Sequence, residues 1–278
     1  MATTFKIIPL VDTVNENRWK FLREPLPRPP FRMLVTGSSG AGKTNAVMNL
    51  ILRFLVHPRT KISVFDRILV FSPSLMQDPS FSVLGDETLI NPDIVYAENI
   101  LNKEVIDEVL KSNNGENILV FIDDFASDKK NLQDDILFSL FFRSRHANVS
   151  VIFNTQHHSQ VPIQIRNNCN YMMLFRPTNN REASIIKQEN ETPEIHGDDF
   201  DYIYANATKE KYSFLYIDKS HGEPKFYVRF EYAVKSSTNT AVDASHHATA
   251  VKQASKPSDV KITNTTALWG ATTNDEET

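Results

Sequence analysis

Gly37-Ser38-Ser39-Gly40-Ala41-Gly42-Lys43-Thr44 has the spacing G-x-x-x-x-G-K-[ST]. A triphosphate needs several backbone N–H groups turned inward at once, and a glycine-rich turn lets the chain curl tightly enough to approach the oxygens. In such a loop Lys43 reaches the β- and γ-phosphates and the Thr44 hydroxyl sits on Mg²⁺. The helix that starts there aims its positive end at the anion. Further on, Ile118-Leu-Val-Phe-Ile122 delivers Asp123 and Asp124 at the C-terminal end of an apolar run, the edge where open α/β sheets bind ligands. One carboxylate, Asp123, is suited to holding Mg²⁺ through its water shell, and Asp124 to polarising the attacking water as catalytic base. Side chains alternate across a strand, so Asp124 reaches that water only where the chain already bends; otherwise it is a turn-forming Asp that caps the next segment.

Val149-Ser-Val-Ile-Phe-Asn154-Thr155-Gln156 is a second apolar run, ending in three polar groups. Either these simply begin a loop or, if this strand lies between the phosphate-loop strand and the Asp123 strand, Asn154 or Gln156 faces the γ-phosphate and orients water. Arg143 and Arg145 end a helical stretch, and Arg166 follows Val161-Pro-Ile-Gln-Ile. A cation completing a phosphoryl-transfer transition state can come from a neighbouring subunit, although helix-end arginines equally suit the helix dipole. His146, His157 and His158 have no carboxylate at ligand spacing and read as surface or interface histidines. Asp198, Asp199 and Asp201 read as a solvated loop.

The elements that must position these groups follow from the apolar pattern. Phe31 to Thr36, Arg67 to Ser72, Asn117 to Ile122, Val149 to Asn154 and Tyr171 to Phe175 read as strands. Lys43 to Val56, Lys103 to Lys111, Leu132 to Arg145 and Asn180 to Gln188 read as helices. Strands apolar on both faces and alternating with helices predict an α/β fold with a mostly parallel, doubly covered sheet. Tyr212 to Asp218 and Lys225 to Tyr232 are expected to pair as a C-terminal β-hairpin.

Three segments are thus expected: a proline-rich strap over 1–30, an α/β domain over 31–232, and a polar tail over 233–278. The tail is too poor in apolar residues to offset its ordering entropy and is expected to be disordered, with Leu268 and Trp269 as its one docking feature. At 278 residues and 41% hydrophobic content, one sizeable core with a modest appendage is expected. A net charge of −4 argues against a protein that coats itself with nucleic acid, without excluding a local basic surface. Cys169 is the lone cysteine, so an internal disulfide and a cysteine-based zinc site are excluded. The first ten residues lack a signal-peptide pattern and no apolar run is long enough to span a bilayer; a soluble, intracellular protein is expected.

These motifs, in this order, resemble the genome-packaging ATPases of large eukaryotic DNA viruses and virophages, the poxvirus-type branch of the FtsK/HerA superfamily. The resemblance covers about residues 28–190. It is carried by the proline-rich lead into Phe31-Arg-Met-Leu-Val-Thr36 and the phosphate loop, Arg67-Ile-Leu-Val-Phe-Ser-Pro73, Ile118 to Phe125, Arg143 through Gln156, and Val161 through Asn167. It implies a P-loop NTPase three-layer sandwich with sheet order 5-1-4-3-2, the Asn154 strand lying beside the phosphate-loop strand. It further implies ATP and Mg²⁺ as cofactors and a homo-oligomeric ring, often a hexamer. The ring would move double-stranded DNA into a capsid, against a capsid or portal component, in the infected-cell cytoplasm, viral factory or virion. By the same resemblance Gln156 is the polar sensor and Arg145 or Arg166 the trans-acting cation. Asp124 stands where many members carry Glu. Two other chemistries share the loop: a small-molecule or nucleoside kinase, and a nonenzymatic nucleotide-dependent scaffold.

Overall fold

The computed structural model describes residues 21–57, 59–60, 62–111, 115–125, 135–235 and 261–264. At its centre are β1 (Arg32–Thr36), β2 (Arg67–Phe71), β4 (Ile118–Asp123), β5 (Val149–Thr155) and β6 (Tyr171–Leu174), and a shorter β3 (Val95–Glu98) extends one edge. β1 pairs in parallel with β5 and β6, β4 with β5 and β2, and β2 with β3. The order β6-β1-β5-β4-β2 is the 5-1-4-3-2 arrangement implied by the resemblance.

Alternation along the strands divides the core in two. Leu34, Leu69, Val120, Val151 and Met172 face one cluster, which helices α2 (Lys103–Lys111), α3 (Asp135–Arg143), α4 (Ile163–Asn168), α5 (Asn180–Asn190) and α6 (Asp198–Ala207) complete. Met33, Ile68, Val70, Leu119, Phe121 and Ile152 face the other, beneath α1 (Lys43–Asn49), a π-helical turn over Leu50–Phe54 that continues it, and a 3₁₀ turn over Pro79–Gly85. Helices on both faces of a parallel sheet make the three layers. Leu22 and Leu26 are buried in this second cluster, so the described part of the strap packs against the domain.

Three expectations are corrected, and one strand was not foreseen. Val95 to Glu98 is a strand, short and half-buried because it lies at the sheet edge. The acidic segment Asp198, Asp199, Asp201 is the first turn of α6, where negative side chains are favoured by the helix dipole; Phe200, Ile203, Tyr204 and Ala207 recur on its buried face. The C-terminal hairpin is present as β7 (Leu215–Asp218) and β8 (Lys225–Val228), but the run ending at Tyr232 breaks at Arg229, whose φ is 56°. There the chain reverses into β9 (Tyr232–Lys235), and β10 (Lys261–Asn264) pairs antiparallel with it. Two pieces of the segment expected to be disordered therefore extend the sheet. Leu268, Trp269, the rest of that segment and residues 1–20 of the strap lie outside the described residues, as do residues 132–134 of the predicted third helix.

Candidate functional site

The phosphate loop leaves the C-terminal end of β1 and closes on α1. Gly42 caps the helix with φ 91°, a left-handed conformation that favours glycine, and a Cβ there would lie 2.8 Å from Cδ1 of Tyr212. At Gly37 a Cβ would lie 2.4 Å from that of Phe175, so side chains are excluded at both ends of the loop by neighbouring chain as well as by torsion. The loop is tied to the next strand by the Ser38 amide, which donates to the Arg176 carbonyl at 3.2 Å. Lys43 is 9% exposed and its ammonium donates to the carbonyls of Gly37 (2.9 Å) and Ser38 (3.0 Å). Burial pulls its pKa down, and Asp124 and Asp123 oppose that shift.

Strand parity brings the next groups together. Residues 68 and 70 of β2, 119 and 121 of β4, and 152 of β5 face the α1 side. Ser72, Asp123 and Asn154 continue those alternations and emerge on the same face, under Thr44. Asp123, 2% exposed, accepts from Ser72 Oγ at 3.0 Å on one oxygen, and from Thr44 Oγ1 at 3.3 Å and the Asn154 amide on the other. Burial raises its pKa to about 6, the three hydrogen bonds holding it from going higher and Asp124 adding a smaller push upward.

Asp124 has φ 55°, so the chain does bend there, as its predicted role required. Its carboxylate accepts from Gln156 Nε2 at 3.2 and 3.0 Å, and its own amide donates to the Asn154 carbonyl at 3.0 Å. Ser39, Gly40, Gly42, Lys43, Thr44, Asp123, Asp124, Asn154 and Gln156 line one cavity of about 270 Å³. The structure thus brings together the phosphate loop, the acidic pair and both polar residues at the end of β5.

Ser74, Asp78 and Ser80 line the same cavity and, with Ser72, were missed in the sequence. Ser72 follows β2 directly, which is a usable signal once β2 is known to adjoin β4. Asp78 caps the 3₁₀ turn by accepting from the Ser80 amide at 2.8 Å, and nothing local sets it apart from any other turn aspartate.

Arg166 is not the protomer-edge cation that the sequence suggested. Its residue is 8% exposed, and its guanidinium donates to Glu189 at 2.9 and 2.5 Å and to the carbonyls of His158 and Val161. His158 shares Glu189, with its Nε2 at 2.9 Å, and is 1% exposed, so it is a core histidine and not a surface one. Burial pushes Glu189 upward, but the bonds from His158 and Arg166 outweigh it and bring its pKa to about 2. Glu182, also buried, accepts from the amide of Ser159 at 3.1 Å and from its hydroxyl. The turn His158–Gln160, just after Gln156, is therefore clamped to α5 at two points. Arg145 is exposed and precedes β5, at the opposite end of that strand from Asn154. Seven residues of β5 span about 20 Å, so Arg145 cannot reach the cavity of its own chain.

The donor set suits a hard divalent ion: a threonine hydroxyl and a carboxylate with adjacent oxygens, on a carboxylate whose charge has only neutral hydrogen-bonding neighbours. Among the described residues no helix is long and apolar enough to cross a membrane.

Compared with known proteins, residues 18–220 match the Poxvirus A32 protein family. The "DNA packaging protein OPG160" of Variola virus is 26% identical over 163 residues, covering 56% of this chain and 57% of that protein. "Uncharacterized protein 075L" of Invertebrate iridescent virus 6 is 27% identical over 192 residues, covering 68% and 70%. Among solved structures, B204, "the DNA-packaging ATPase from Sulfolobus Turreted Icosahedral Virus", aligns with a TM-score of 0.49 at 15% identity, over 72% of this chain and 98% of that one. The match to the Variola relative spans little more than half of its length. The family match itself takes in the phosphate loop, the acidic pair, Gln156 and the clamp, and by it the chain belongs to the Poxvirus A32 protein family.

Proposed function

We propose that the chain is an Mg²⁺-dependent ATPase that drives double-stranded DNA into a viral capsid. The observation that carries the reading is the convergence of Lys43, Thr44, Asp123, Asp124 and Gln156 on one cavity at the C-terminal edge of a parallel sheet. Thr44 and Asp123 would hold Mg²⁺, which supplies charge neutralisation on the phosphate oxygens. Lys43 would exchange the loop carbonyls it now binds for β- and γ-phosphate oxygens. Asp124 takes the proton of the attacking water, while Gln156, already donating to that carboxylate, fixes its orientation and senses the γ-phosphate.

DNA as the substrate moved is supported by the name of the Variola relative, a DNA packaging protein. The assembly would be a homo-oligomeric ring, with a capsid or portal component as its other partner and the viral factory or virion as its place. In that ring Arg145 would reach a neighbour's γ-phosphate; its exposure and its distance from its own cavity support this reading. The test is phosphate release from MgATP by the full chain with and without double-stranded DNA, together with its mass in the presence of ATP. Turnover that rises with DNA in an oligomer is expected. A monomer whose turnover ignores DNA removes the packaging motor, and phosphate transfer to a nucleoside in place of water makes it a kinase.

A further inference from the structure

A second cleft, also of about 270 Å³, lies against the other flank of the phosphate loop. Its walls are loop residues Ser38, Gly40 and Ala41, the end of β6 at Phe175 and Arg176, and the connection Thr208 to Ser213 that joins α6 to β7. Gly40 lines both cavities, so a single ligand that lays a polyphosphate along the loop reaches from one into the other.

The cleft contains a residue in a costly conformation. Tyr212 has φ 65°, in the left-handed region that a bulky side chain rarely adopts, and it remains 56% exposed. Strain of this kind persists where the surroundings enforce it and points to use. Here the ring packs beside Gly42, whose hydrogen alone leaves room for it, and Lys211 stands 4.7 Å from the ring centroid. The walls behind it are fixed: the Tyr204 hydroxyl donates to the Phe175 carbonyl at 2.7 Å, and the Phe175 and Phe214 rings lie 5.0 Å apart.

The two buried polar residues of the cleft, Thr208 and Ser213, are bonded within the connection and the end of α6. The Thr208 hydroxyl donates to the Tyr204 carbonyl at 2.8 Å, and the Ser213 amide to the Glu210 carbonyl at 3.2 Å. None of the buried side-chain polar atoms left without a partner among the described residues belongs to a residue that lines it. Strong discrimination between ligands comes from buried polar groups that the wrong ligand leaves unpaired, whereas an aromatic face accepts any base.

We propose that this cleft holds the nucleobase of the bound nucleoside triphosphate, that Tyr212 is its stacking platform, and that the site consequently accepts adenine and guanine with similar affinity. This rests on the phosphate loop binding a triphosphate, and the test separates the two ideas. Binding of MgATP, MgGTP and magnesium tripolyphosphate to the full chain is measured by calorimetry for the wild type, Tyr212→Phe, Tyr212→Leu and Tyr212→Ala.

The wild type is expected to bind ATP and GTP within about tenfold of each other. Tyr212→Leu and Tyr212→Ala should weaken both by about five- to a hundredfold, with tripolyphosphate unchanged and Tyr212→Phe close to wild type. Retained tripolyphosphate binding also shows that the variants fold. Equal weakening of tripolyphosphate by Leu and Ala means that Tyr212 only supports the loop through Gly42, and overturns the proposal. Unchanged ATP binding, or a preference for one base above a hundredfold in the wild type, overturns it too. A wild type that binds tripolyphosphate but neither nucleotide refutes the base cleft alone, while one that binds none of the three refutes the triphosphate site beneath it.

Discussion

Asp123 and Glu189 are both withdrawn from water, and their surroundings move them in opposite directions. Around Asp123 the partners are two hydroxyls and an amide, so burial dominates and the acid rises to about 6. Around Glu189, which is less deeply buried, the partners are a guanidinium and an imidazole, which outweigh its burial and bring it down to about 2. The first region is left electrostatically incomplete, in the way a site keeps charge for a cation to satisfy. The second is closed on itself, and holds the turn that follows Gln156 in place. The proposed function sits where the fold is least self-sufficient, on a frame that is.

The comparison breaks most visibly through catalysis. Asp123→Asn keeps the shape and removes the charge; we predict a fall in ATP turnover on the order of 10³-fold, the several kcal/mol that a positioned metal supplies. Its melting temperature should stay level or rise, since the desolvation cost of a buried carboxylate is lost. A melting temperature that drops along with turnover would mean that Asp123 holds the fold as Glu189 does.

Removing the clamp's cation should do the reverse. Arg166→Ala leaves Glu189 half-buried and with only His158 as a side-chain partner, and is expected to cost about 2 kcal/mol or more in urea unfolding at pH 7. Arg145→Ala, on the exposed turn before β5, should change stability by less than about 0.5 kcal/mol while lowering turnover only in the assembled form. Equal stability losses would erase the distinction between the two arginines.

A further, pH-dependent effect is expected in acid. Glu189 has a folded pKa below its ordinary 4.5, so the stability it contributes is complete above that value and is lost as pH falls toward about 2. Asp123 has the opposite sign: raised above its ordinary 3.8, it favours the folded chain only while protonated, and that contribution is withdrawn as pH rises through about 6. The stability gap between wild type and Glu189→Gln should therefore narrow by about 2 kcal/mol between pH 5 and pH 2.5. A gap independent of pH over that range would show that the Glu189 carboxylate is not held charged by its neighbours.

Much of this was legible in the chain. The loop from Gly37 to Thr44 is recognisable because its demands are local: glycines where the backbone must curl, a lysine and a hydroxyl one step apart. The central strands are likewise legible because a strand covered on both faces must be apolar throughout. Their order came from resemblance, since nothing in a single strand states its neighbour. Asp198 misled because an acidic cluster reads alike in a solvated loop and in a helix's first turn; only the burial of Phe200, Ile203 and Tyr204 distinguishes the two.

By itself, then, the amino-acid order determined which short stretches curl, extend or coil, and which of them have the residue types that phosphate chemistry needs, because those preferences act over a few bonds. The tertiary structure alone decided that Ser72, Asp123 and Asn154 share one face, that Arg166 is locked to Glu189 and His158 while Arg145 stays outside, and that Tyr212 lies against Gly42. Each of those outcomes depends on residues far apart in the chain being packed together, where burial and partner together set what a charged or aromatic group can do.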